Sequence, residues 1–251
     1  MTGQAPPAGR ATDCLAERQA AREAPLVIAV DGPSAAGKGT LARRLADYYG
    51  LAYLDTGLLY RAVAARLLRA GIDPEDEAAA VTAAEAVSLA ELDAPDLRDE
   101  AVSRAASRVA AIGGVRAALL DLQRRFAANP SAGPSGGTVR GAVLDGRDIG
   151  TVVWPQAQVK LFVVASLEER ARRRHKELLE RGCESIYSRV LQDMRERDAR
   201  DSGRAIAPLV PAPDAIVIDT SAVDADGAFA IAVAHIGPRS QDRQGQSDDR
   251  H

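Results

Sequence analysis

Apolar and polar positions divide the chain into short buried runs and longer helical stretches. The run Leu26-Val27-Ile28-Ala29-Val30 lies between Pro25 and Gly32, and a continuous apolar segment of that length predicts a strand buried on both faces of a parallel sheet. A glycine-bounded turn follows, then an amphipathic helix as far as Tyr49. Leu51 to Leu54 predicts a second strand ending in Asp55-Thr56-Gly57. The helix after it runs through Tyr60 and Arg61 to Arg69, with Gly71 placed as its C-cap. From Ile72 to Asn129 the alanine-rich sequence keeps helical spacing, in VSRAASRVAAI and again in VRAALLDLQRRF, which predicts a helical insert rather than more sheet. Ala142-Val143-Leu144 predicts a strand that ends at Asp145, Lys160 to Ala165 another, and Ala215 to Asp219 the last. Between those final two lie a basic helix from Ser166 to near Gly182, a polar helix from Ile186 to Asp201, and the proline-rich RAIAPLVPAPDA. Phe229 to Ile236 belongs to a closing helix. Ser166-Leu167-Glu168-Glu169 has the spacing of a capping box. Five strands separated by helices predict an α/β fold with a parallel sheet wound on both faces.

Other segments lack such periodicity. Residues 1–24 and 237–251 are expected to be disordered tails, and NPSAGPSGG at 129–137 a loop of turn residues. With a net charge of −3 over 251 residues, there is no global attraction to nucleic acid or to an acidic membrane. Lysine occurs only at Lys38, Lys160 and Lys176, so positive charge is carried by arginine, whose fork suits bidentate phosphate binding. Cys14 and Cys183 form no C-x-x-C pattern, and no run approaches the roughly 18 apolar residues of a membrane span. A cytoplasmic, monomeric protein is expected.

The chemistry begins at the first turn. Gly32, four residues, Gly37 and Lys38 give a spacing in which small residues let successive backbone N–H groups face phosphate oxygens. Gly32, Pro33, Ser34, Ala35, Ala36, Gly37, Lys38, Gly39 and Thr40 therefore form a candidate ATP phosphate loop. Lys38 supplies a cation and the following helix its positive dipole end. Gly39 occupies the place where Ser or Thr would hold magnesium, and Thr40 comes one residue later, as in nucleoside monophosphate kinases. Asp145, at the end of an apolar strand, is placed to hold Mg²⁺ with Thr40, directly or through water. Arg170, Arg172, Arg173 and Arg174 crowd one stretch of the basic helix among Glu168, Glu169, Glu177 and Glu180. A solvated face of ion pairs accounts for them, but so does a lid that closes over the transferred group. Arg197, Asp201 and Arg204 share one face if the polar helix continues that far, and His175 reads as surface filler.

DGPSAAGKGT, LDTGLLYR, SRVA followed by VRAALLDLQR, LDGRDIGTVV and ERDARDSGRAIAPL, in that order, resemble the bacterial cytidylate kinase family over residues 25 to 236. The resemblance implies a P-loop NTPase fold with an inserted nucleoside-monophosphate lobe and a helical lid. Its core would be 25–71, 138–165 and 205–236, its insert 72–137 and its lid 166–204. It implies transfer of a phosphoryl group from ATP, with Mg²⁺, to CMP or dCMP. Arg61, Arg147, Arg197 and Arg204 would bind the CMP phosphate, and Asp201 with Arg197 the ribose. Ser107, Arg116 and Asp148 would read the base, and Thr56 would line the acceptor site. Lys38, Asp145, Arg147, Arg170 and Arg174 would be catalytic, and Arg173 would touch ATP. Many members carry a small antiparallel sheet in the insert, for which residues 72 to 100 are too helical. The rival readings are another small-molecule kinase, of adenylate or shikimate type, and an RNA-binding module built on the arginine helices.

Overall fold

The computed structural model describes residues 25–130 and 139–237. The expected tails over 1–24 and beyond Gly237, Cys14, and the turn-rich loop beyond Pro130 lie outside the described residues.

Five parallel strands form one sheet in the order β2-β3-β1-β4-β5. They are β1 (Leu26–Asp31), β2 (Ala52–Asp55), β3 (Gly141–Asp145), β4 (Val159–Val164) and β5 (Ile216–Asp219). β1 is central because its side chains are apolar on both faces and four of its residues, Val27 to Val30, are fully buried. Period-two alternation sends Ile28 and Val30 to one face, where Leu41 and Leu45 of helix α1 (Lys38–Tyr49) and Ala232 of α8 (Ala225–Ile236) cover them. Val27 and Ala29 face the other way, against Phe126 and Ala127 of α5 (Gly113–Ala128) and against Ile149 and Val153. Register places Val30 beside Asp145 and Asp55 beside Asp145. The carboxyl ends of β1, β2 and β3 therefore form one edge, where ligands of such sheets bind.

Helices α2 (Thr56–Arg69), α3 (Glu77–Glu85), α4 (Glu100–Val109) and α5 enclose a separate apolar cluster that includes Leu59, Val63, Leu67, Leu97, Val109, Val115 and Leu119. The insert is helical, as its periodicity predicts, with two short 3₁₀ turns at Leu89–Glu91 and Pro95–Arg98. α2 closes with a Schellman motif: Gly71, at φ +68°, and Ile72 donate to the carbonyls of Leu68 and Leu67. Helices α6 (Leu167–Glu180) and α7 (Tyr187–Ser202) form a hairpin with a much smaller cluster, Ala171, Leu178, Val190 and Met194, which rests on Ala35.

Three expectations need correction. The capping box is half made: Ser166 accepts from the Glu169 amide, but the Glu169 carboxylate turns to Arg172 and Arg173. Local arginines outcompete the N-cap amide for that charge. Arg204 does not share the α7 face, because the helix stops at Ser202 and Gly203, and Arg204 reaches back to Asp201 from the following loop. His175 is half-buried rather than surface filler: its Nδ1 lies 2.7 Å from Ser185 Oγ and its ring packs edge-on to Tyr187, joining the two helices of the hairpin.

Candidate active site

The turn after β1 is shaped by two glycines. Gly32 has φ +144°, and a Cβ there would stand 2.0 Å from the Val163 carbonyl oxygen; Gly37, at φ +91°, precedes α1 without a side-chain cap. No cap side chain occupies the first amides of α1, which leaves them available to an anion. Ala35 occupies the left-handed region at φ +59°, a conformation strained for a residue with a Cβ. Lys38 folds over the turn. Its Nζ donates to the Pro33 carbonyl at 2.9 Å and stands 3.9 Å from Asp145 Oδ1. Burial pushes the Lys38 ammonium down to about 8 and the Asp145 carboxyl up to about 6, each pulled back in part by the other.

Ser34, Ala35, Gly37, Lys38, Gly39 and Thr40 line a cavity of about 460 Å³, while Gly32, Pro33 and Ala36 shape the loop from behind. Asp145 and Thr40 are oxygen donors at its wall, and a Cβ at residue 39 would stand 3.3 Å from Asp145 Oδ2 and 3.8 Å from the Tyr53 hydroxyl. That hydroxyl is buried without a hydrogen-bond partner. Among the described residues no group of three or more His, Cys, Asp or Glu side chains converges to hold a metal. Oxygen donors there, with Asp55 lining the cavity beside Asp145, suit a hard cation that keeps most of its water and leans on phosphate.

Across the cavity, Arg147, Arg197 and Arg204 surround Asp201, whose side chain is 2% exposed. Arg147 Nε lies 3.3 Å from its carboxylate and Arg197 Nε 4.0 Å. Burial works against the Asp201 charge, but Arg147, Arg204 and Arg197 outweigh it and hold the carboxyl below the usual range. One carboxylate cannot satisfy three guanidinium groups. Arg197 Nε and Arg204 Nε and Nη1 are buried donors with no acceptor, and burial beside Arg147 pushes Arg197 well below an ordinary guanidinium.

Arg61, on α2, lines the same cavity and is steadied by the Leu97 carbonyl and Ser103 Oγ. Thr56 donates to the Asp145 carbonyl. At the far end Arg116 of α5 pairs with Asp148, both buried, beside Ser107 of α4. Arg173 and Arg174 also line the cavity; Arg174 pairs with Glu100 and Glu177, and Arg173 with Thr220 and Glu169. Arg170 does not reach it. Buried, it binds Asp198 and the Ser34 carbonyl, clamping the α6–α7 hairpin to the back of the loop. Arg172 is exposed and bound to Glu169.

Sequence reasoning missed Asp31. Its two carboxylate oxygens each accept a 2.8 Å hydrogen bond, from the Ile149 and Gly150 amides, at the start of a π-helical turn (Ile149–Val153). This locks the loop bearing Arg147 and Asp148 to the end of β1. Burial raises the Asp31 carboxyl to about 7, against the two amides. The signal was the one that found Asp145, an acid closing a buried strand. A second small cavity of about 220 Å³, lined by Thr40, Arg173, Thr220, Val223 and Asp224, adjoins the loop; no motif pointed to it.

A family profile described as cytidylate kinase matches residues 28–236. A cytidylate kinase of Paramagnetospirillum magneticum is 63% identical over 213 residues, covering 85% of this chain and 98% of its own. A second, from Xanthobacter autotrophicus, is 60% identical over 87% of this chain and 100% of its own. Among solved structures, a gluconokinase of Sinorhizobium meliloti matches at 17% identity with a TM-score of 0.43, over 92% of this chain and all of that one.

Proposed function

The chain belongs to the cytidylate kinase family and is a nucleoside monophosphate kinase that phosphorylates CMP with ATP; from that premise we propose how its residues divide the work. The amides of Ser34 to Thr40, with Lys38, hold the ATP phosphates, and the small cavity beside Arg173 and Thr220 takes the nucleoside. Arg61, Arg147, Arg197 and Arg204 hold the CMP phosphate, and Asp201 with Arg197 meets the ribose. Thr56 lines the acceptor side. Ser107, Arg116 and Asp148 read cytosine, whose N4 amine pairs with a carboxylate while N3 and O2 accept from Arg and Ser. dCMP, which keeps the base, the phosphate and the 3′-hydroxyl for Asp201 and Arg197, is a second acceptor.

An oxygen of the CMP phosphate attacks the γ-phosphorus, and the bond from that phosphorus to the β-bridging oxygen breaks, releasing ADP. The acceptor, with a second pKa of about 6, is largely dianionic at neutral pH and needs no general base. Lys38, Arg147 and Arg174 stabilise the charge that spreads over the transferred group, and Arg173 steadies its donor side. Arg170 acts by fixing the lid against the loop. Magnesium, which such transfers generally use, neutralises phosphate charge when bound, and Asp145 with Thr40 would hold it, directly or through water. Lobes at 72–137 and 166–204 close on the core of 25–71, 138–165 and 205–236. The apolar cluster within 166–204 supports a separate lid, whereas the cluster of the insert is shared with α2 of the core. No described helix is long and apolar enough to cross a membrane, and we extend the proposal to a cytoplasmic monomer.

The observation that carries this reading is the set of buried arginine donors left without acceptors on the wall opposite Lys38. A phosphate dianion supplies what Asp201 alone cannot. The test is ADP release with ATP and Mg²⁺ against CMP, dCMP, UMP, AMP and shikimate, with Lys38→Ala as control. Turnover confined largely to CMP and dCMP, and at least 10³-fold lower in the control by the usual worth of such a charge contact (~4 kcal/mol), is expected; efficient turnover of AMP or shikimate would overturn the base assignment.

A further inference from the structure

One hydrogen bond at the base end of the cavity crosses between lobes. Arg200, on α7, donates through Nη1 to the hydroxyl of Ser107, on α4. Ser107 is 5% exposed and shares the main cavity with Arg116 and Asp148. Arg200 is exposed and lines instead the adjoining groove between α4 and α7, reaching the hydroxyl from there. Its neighbour Asp201 is bound by Arg147 and Arg204, which anchors this end of α7 to the core and fixes where the Arg200 side chain starts. Arg174 of α6 pairs with Glu100 at the other end of α4, so lid and insert are apposed along that helix.

A serine hydroxyl is ambivalent, with one proton to donate and two lone pairs to accept, whereas a guanidinium only donates. Arg200 takes one lone pair and its positive charge repels the hydroxyl proton from that side, which biases the proton toward a partner in the cavity. Cytosine offers acceptors at N3 and O2; uracil offers an N–H at N3. We infer that Arg200 is a positioning residue for base selection, holding Ser107 as a donor and so favouring cytosine over uracil. Without it the hydroxyl rotates freely and accepts from uracil N3–H. The bias exists only while α7 lies against α4, so the base is read together with lid closure. This rests on the proposed contact between Ser107 and the base, and the experiment separates the two.

The measurement is kcat/KM for CMP and for UMP in wild type, Arg200→Met, Arg200→Lys, Ser107→Ala and the Arg200→Met/Ser107→Ala double variant, with KM for ATP alongside. Arg200→Met keeps length but loses every donor, and its exposed position spares the fold. The expected result is a CMP to UMP ratio about tenfold lower in Arg200→Met, the usual worth of a mismatched buried hydrogen bond, with most of it restored in Arg200→Lys and the ATP KM unchanged. In the Ser107→Ala background, Arg200→Met should change the ratio no further. If Ser107→Ala shifts the ratio and Arg200→Met leaves it within twofold, the inference fails and the base contact stands. If neither variant shifts it, the base contact itself fails. Full additivity in the double variant would also overturn the inference, since Arg200 would then act without Ser107.

Discussion

In the proposed reading, the two walls of the cleft hold phosphate by opposite means. The proposed ATP wall is nine consecutive residues, Gly32 to Thr40, whose donors are backbone amides aimed by local φ and ψ. The acceptor wall takes Arg61 from α2, Ser107 from α4, Arg116 from α5, Arg147 and Asp148 from the loop after β3, Arg197 and Asp201 from α7 and Arg204 from beyond it. Backbone donors stay in place once the turn is made. Buried arginines repel one another and lose rotamer freedom, so the acceptor wall depends on Asp201 to hold it in the absence of substrate. The ATP wall keeps its strain in one residue, Ala35; the acceptor wall spreads its cost over a charge network.

Removing Asp201 tests that contrast most severely. Asp201→Ala leaves Arg147, Arg197 and Arg204 buried without a carboxylate. It should destabilise the fold by about 3 kcal/mol, measured by urea unfolding, and raise the KM for CMP far more than that for ATP. Equal effects on both substrates would erase the distinction between the walls. Asp148→Asn acts at the base end. It should bring the rates with CMP and UMP closer by about tenfold, with Arg116 still bound through the remaining carbonyl oxygen; an unchanged ratio would remove Asp148 from base reading.

Asp31 joins the walls, and its effect is a pH dependence. Its carboxyl rises from 3.8 to about 7 in the folded chain, so the unfolded chain ionises first. Its contribution is full below pH 3.8 and is lost as pH climbs through about 7. Within that window the slope approaches about 1.4 kcal/mol per pH unit for one proton. Asp145, also raised by burial, adds the same sign up to about pH 6. Asp31→Asn should therefore flatten the stability profile most between about pH 5 and 6, midway between the two values, and a profile parallel to wild type would show Asp31 ionised normally. The smallest effect belongs to the ATP wall: Ala35→Gly relieves the left-handed strain and should raise stability by about 1 kcal/mol, seen as a higher Tm.

Much of this was legible along the chain because its causes are local. Apolar runs and punctuating glycines suffice for five strands and the helical insert, and a phosphate turn is written in the residues that form it. The Gly32 to Thr40 wall was complete in the sequence for that reason. Asp31, Arg200 and the small cavity at Thr220 were not, since each acquires its role from a partner 93 to 184 residues away, as in Arg200 to Ser107 and Thr220 to Ala36. Burial decided the rest. Asp201 with Arg197 and Arg204 reads as surface salt bridging when only spacing is known, and Arg170 reads as one lid arginine among four. Packing of α7 against the β3 loop makes the first group a desolvated cluster short of acceptors. Packing of α6 against the phosphate loop turns Arg170 away from the cleft and toward Asp198. Which side chains share a low-dielectric space depends on where helices far apart in sequence come together, so tertiary structure alone assigned those charges to their partners.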